Sequence, residues 1–115
     1  MSPLGTSQSL PIARDADFDR WLNAHGGSER EIVVAIYKKA SGKQTVSLVA
    51  LQETALRHGW VDTQTKRIDD ERYAIRFTPR RPGSTWSARN RRMVRRLLDE
   101  GQMTAAGLAA LPGDL

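Results

Sequence analysis

The residues best equipped for chemistry gather in one stretch, Phe77-Thr78-Pro79-Arg80-Arg81-Pro82-Gly83-Ser84-Thr85-Trp86-Ser87, which runs directly into Ala88-Arg89-Asn90. Two adjacent guanidinium groups lie between prolines, which stop ladder pairing and stiffen the connection. Ser87 then offers its side chain as a helix cap. A helix that begins there presents free amides and a partial positive charge close to Arg80 and Arg81, so a phosphate or carboxylate can be held at its mouth. The competing reading makes the same residues a staple. In it the arginines pair with Asp62 and neighbouring carbonyls, and Asn90 bonds the hairpin backbone. Both readings stay open on the sequence.

Other chemistries find less support. The chain has no Cys and two His, which excludes a disulfide framework and a thiolate zinc site and leaves too few ligands for an all-histidine one. No metal, cofactor or catalytic residue is therefore assigned. His25 and His58 both fall near helix ends, and neither accompanies a nucleophile signature. Asp69-Asp70-Glu71 has the composition of a tight turn, where acidic residues supply turn chemistry. Gly42-Lys43 lacks the earlier glycine and the following Ser/Thr of a phosphate-binding loop. The Arg-rich segment 88–100 precedes a short, featureless Ala-rich segment, the reverse of the order in a DNA-reading helix-turn-helix.

The elements that must position these residues follow from periodicity. At 115 residues the chain makes one domain. Phe18, Trp21, Leu22 and His25 recur at helical spacing between Asp15 and Gly26-Gly27. Ile32 to Tyr37 is a β-branched apolar run and reads as a central strand. Ser47 caps a second helix that Gly59 ends. Trp60 to Ile68 and Tyr73 to Phe77 form a hairpin that turns near Asp69-Asp70, and Tyr73, Ile75 and Phe77 share one face. Met93, Val94, Leu97 and Leu98 make the apolar stripe of a third helix over 88–100, with Arg89, Arg91, Arg92, Arg95 and Arg96 outside it. Asn90 projects into the apolar arc beside Trp86. Thr104 caps a short last helix. The expected architecture is a single α+β domain over residues 14–111, with a small three-stranded, mainly antiparallel sheet and three to four helices, preceded by a disordered tail over 1–13.

The formal charge of +5 is unevenly spread: residues 57–96 carry 12 Lys+Arg against 4 Asp+Glu, a local balance of +8. Such a region attracts phosphates, nucleic acid or acidic surfaces. No apolar run is long enough for a membrane span and no secretory signal opens the chain, so a cytoplasmic protein without membrane insertion is expected.

Four strings, Gly59-Trp60-Val61-Asp62, Phe77-Thr78-Pro79-Arg80-Arg81, Trp86-Ser87-Ala88-Arg89-Asn90 and Gly101-Gln102-Met103-Thr104, resemble in order and spacing the bacterial YdeI/OmpD-associated family. The likeness includes Tyr37-Lys38-Lys39 to Gly42 and covers roughly residues 15–110. Thr63 stands where a small Gly or Ser is expected, and Arg57-His58 replaces a more apolar pair. The resemblance implies a compact α+β domain connected with bacteriocin or cationic-peptide protection and envelope stress, and it marks Trp60, Asp62, Arg80, Arg81, Trp86 and Asn90 as the shared ligand-binding group. The preferred expectation is a non-enzymatic module that engages an anionic small molecule or an acidic protein surface. Nonspecific nucleic-acid binding through Arg89, Arg92 and Arg96 is the first alternative, and a small enzyme using Asp62 and the arginines on a phosphorylated substrate is the second.

Overall fold

Ile32–Tyr37 is an apolar run with β-branched residues at 32, 33, 34 and 36 and charges at both ends, and it becomes a central strand of the sheet. The computed structural model describes residues 9–11, 15–43, 46–81 and 83–113. In chain order these form β1 (Ser9–Pro11), α1 (Asp15–His25), β2 (Ile32–Tyr37), a single 3-10 turn (Lys39–Ser41), α2 (Leu48–Arg57), β3 (Trp60–Arg67), β4 (Arg72–Pro79), α3 (Ala88–Asp99) and α4 (Ala105–Ala109).

The sheet order is β1-β2-β4-β3. β4 runs antiparallel to both of its neighbours, β2 and β3, in keeping with a mainly antiparallel sheet, and the β3–β4 hairpin turns over Ile68 to Glu71. One expectation needs correction. Ser9–Pro11 falls within the stretch read as a tail, yet it pairs parallel with β2, Ser9 opposite Val33. A three-residue edge strand has too few positions to show a period, and its pairing is decided by the strand beside it. The rest of that tail, residues 1–8 and 12–13, lies outside the described residues, as does Pro82.

Side-chain parity gives the sheet two unlike faces. Ile32, Val34 and Ile36 of β2 and Ile75 and Phe77 of β4 pack with Phe18 and Leu22 of α1 and Leu51 and Ala55 of α2, which forms the main core. Phe18 and Phe77 meet with ring centroids 4.8 Å apart. The opposite face presents Val61, Arg76 and Thr78, in register as Val61 with Thr78 and Val33 with Arg76. Beyond the strand ends lies a smaller apolar cluster of Leu56, Trp86, Met93, Val94 and Leu97, against which Met103 and Leu111 rest. The three later helices have the side-chain caps their sequences announce: Ser47 accepts from the Ala50 amide, Ser87 from Asn90 and Thr104 from Gly107. No helix among the described residues is long and apolar enough to cross a membrane.

Candidate functional site

Arg80 is the first residue past β4, and its amide donates to the Gly59 carbonyl at 2.9 Å. Gly59 has φ +78, and a Cβ there would meet the Ala106 carbonyl oxygen at 2.9 Å, so the turn that anchors Arg80 needs glycine twice over. From this anchor the guanidinium lies on the Trp86 ring, its carbon 3.8 Å from the centroid, and Nη2 donates to the Thr85 carbonyl at 3.1 Å. Nε and Nη1 are buried and have no partner among the described residues. Burial lowers the Arg80 pKa, and the nearby Asp62 charge opposes that shift; the group stays cationic at any ordinary pH. Arg81, one residue on, is exposed, and its side chain has no partner among the described residues. Ser84 donates from its amide to the Arg81 carbonyl and Gly83 takes φ +75, which closes the turn between the arginines and Trp86.

These residues form one wall of a cleft of about 760 Å³. Its floor includes His58, Gly59 and Trp60, and its far wall is α4 with the segment that follows: Ala106, Ala109, Ala110, Leu111 and Pro112. That wall is fixed by the end of α2. The Arg57 carbonyl accepts from both the amide and the hydroxyl of Thr104, at 3.1 and 2.7 Å, and Gly107 lies so close that an added Cβ would be 2.0 Å from the same oxygen.

The structure brings together four of the six residues expected at the site: Trp60, Arg80, Arg81 and Trp86 all line the cleft. Asp62 and Asn90 do not. Asp62 shares the helix-side face of β3 with Trp60, and its Oδ2 accepts from Gln52 Nε2 of α2 at 3.2 Å. It forms no ion pair with either arginine among the described residues. Asn90 is half-buried in the first turn of α3; its backbone amide donates to Ser87 Oγ, and its side chain has no hydrogen-bond partner among the described residues. The free amides at the start of α3 likewise fall outside the cleft, so the anion-holding geometry rests on side chains rather than on a helix mouth. Of the alternative set, Arg89 and Arg92 are exposed, while Arg96 is bound by Glu53 and Glu100.

Sequence reasoning missed two parts of the site. The small apolar wall of α4 looks featureless in the chain. His58 is buried, and its Nε2 lies 2.7 Å from Asp19 Oδ1, the same oxygen that Arg57 Nη1 reaches at 3.2 Å. No spacing rule joins Asp19 of the first helix to the end of the second. The described residues contain no group of three or more His, Asp or Glu that could hold a metal ion.

The fold and site together define a small α+β domain with an arginine-lined corner facing an alanine-rich helix. Residues 10–110 match the family described as Domain of unknown function (DUF8412), and the chain belongs to that family. No curated protein and no solved structure matches it.

Proposed function

We propose that the protein is a non-enzymatic binding module whose cleft takes an anion carried on an apolar body, either a small organic acid or a carboxylate from an acidic protein surface. The observation that carries this reading is Arg80. Its ring-stacked guanidinium has two buried nitrogens, Nε and Nη1, without partners among the described residues, and a buried donor left unpaired costs about 1–3 kcal/mol, more for a charged one. Exposed Arg81 stands beside it, and the opposite wall of Ala106, Ala109, Ala110 and Leu111 suits a hydrocarbon. A charged head on the arginines and an apolar body on α4 would use both walls at once. The same stack and the Thr85 bond also serve the staple reading for Arg80, which leaves Arg81 as the freer of the two contacts.

The resemblance to YdeI/OmpD-associated proteins adds a setting, protection against cationic peptides. A protein of net charge +5 does not capture cations by attraction, so protection on this reading runs through an acidic third component. The test is calorimetric titration of the full chain with phenylacetate, which joins a carboxylate to an apolar ring. Arg81→Ala should weaken binding roughly tenfold, the loss of one charge-assisted contact, and leave the melting temperature unchanged. Equal binding by the variant, or binding lost only in step with stability, refutes the reading.

A further inference from the structure

On the other side of residues 80–85 lies a second hollow, about 660 Å³, that the reading above does not use. Its floor is the outer face of the β3–β4 hairpin. The pairing there is irregular: Asp62 opposes Phe77 and Gln64 opposes Arg76, so Thr63 is an extra residue. This bulge sets the Thr63 hydroxyl across Arg76. It donates to the Arg76 carbonyl at 3.3 Å and accepts from Arg76 Nη1 at 3.4 Å.

Arg76 is thereby held upright between Thr63 and Glu31, whose carboxylate it meets at 3.4 to 3.5 Å, long for a charge-assisted bond. Arg30 enters from the loop after α1. It is exposed and has no partner among the described residues, and the same is true of the Arg81 side chain. With Arg80 on the shared rim, four guanidinium groups line the groove, and among the described residues no carboxylate lines it, Glu31 standing behind Arg76. Thr78 and Ser84 add hydroxyl groups. Among the described residues the apolar contribution is limited to Val61 and Pro79, and no aromatic ring lines the groove for a base to stack on.

We infer that this groove is a second anion site, which shares the rim of Arg80, Arg81, Ser84 and Thr85 with the cleft, and that it takes a phosphomonoester. The argument is one of matching. A phosphomonoester carries close to two negative charges near pH 7 and three terminal oxygens, which can accept from several guanidinium forks and hydroxyls together. A carboxylate offers two oxygens and one charge, and leaves most of these donors unused. A nucleic-acid strand spreads single charges along its length and gains from stacking, for which the groove provides no platform.

The test uses O-phosphoserine, with unmodified serine and ionic-strength-matched chloride as controls, titrated into the full-length protein and followed by calorimetry and amide NMR. Binding should move the amides of Thr63 and Thr78. Arg30→Ala and Arg76→Ala should each weaken it roughly tenfold while phenylacetate affinity at the cleft stays as it was. Inorganic phosphate, tried in parallel, shows whether the phosphoryl group alone suffices; either result supports the site so long as the two variants weaken it. Arg30 has no partner among the described residues to strand, so its replacement keeps the test valid should Arg76→Ala disturb the hairpin. Phosphoserine affinity unchanged in both variants, equal effects from chloride, or tighter binding of oligo(dT) through the same two arginines would overturn the inference.

Discussion

The cleft and the groove lie on opposite sides of one short connection, and both draw on Arg80 and Arg81. Their far walls could hardly differ more. Across the cleft stand alanines, a leucine and a proline from α4 and beyond; across the groove stand Arg30, Arg76 and threonines from the outer face of the sheet. The same pair of cations is thus set against hydrocarbon on one side and against further donors on the other. Positive charge brings an anion to this corner from either side, but the opposing surface decides whether its body must be greasy or heavily oxygenated.

The largest test of this contrast strikes what the two hollows share. Trp86→Ala removes the ring beneath Arg80 and a member of the smaller apolar cluster. It should cost about 3–5 kcal/mol of stability in a denaturant titration and reduce phenylacetate binding beyond detection. Stability within error of the parent would show that the ring is not the platform described. Next in size is Gly107→Ala, which drives a methyl group into the Arg57 carbonyl. It should cost about 1–3 kcal/mol and pry α4 from α2, so that phenylacetate affinity drops while phosphoserine affinity holds. Parallel losses at both hollows would mean that they are one site.

The smallest effect is a control at the far end of the hairpin. Asp69 accepts from the amides of Glu71 and Arg72 and pairs with the Arg72 guanidinium. The amide bond from Glu71 is the chief cause of its lowered pKa, followed by the Arg72 side chain. A depressed carboxylate stabilises the fold above its unfolded pKa of about 3.9 and loses that contribution as pH falls through the lower folded value. Asp69→Ala should therefore melt slightly below the parent at neutral pH, with the gap closing in acid and both ligands bound normally throughout. A gap that persists in acid would assign the effect to the turn backbone instead.

Much of the scaffold was readable from the residues alone, because β2 is a β-branched apolar run, β4 alternates, α3 carries a helical stripe and the three later helices carry Ser or Thr caps. Arg80, Arg81 and Trp86 were legible as one group, but the stacking of Arg80 on the Trp86 ring was not, because the sequence pattern pairs the arginines with Asp62 and sets Trp86 beside Asn90. What escaped was set by long-range contact. The role of α4 depends on Gly107 meeting the Arg57 carbonyl, and nothing local in Ala105–Ala109 announces it. Asp62 was expected among the arginines, yet strand parity with Trp60 commits it to the helix side, where Gln52 takes it up. The Thr63 bulge shifts the hairpin by one residue, an irregularity that alternation cannot reveal in a stretch as polar as Asp62 to Arg67.

The order β1-β2-β4-β3 leaves the sheet two margins that a neighbouring copy could extend into a filament. One is only three residues long, and the other, β3, ends on Lys66 and Arg67, both exposed. Brevity on one flank and an exposed lysine on the other both limit what a second copy's backbone could pair with.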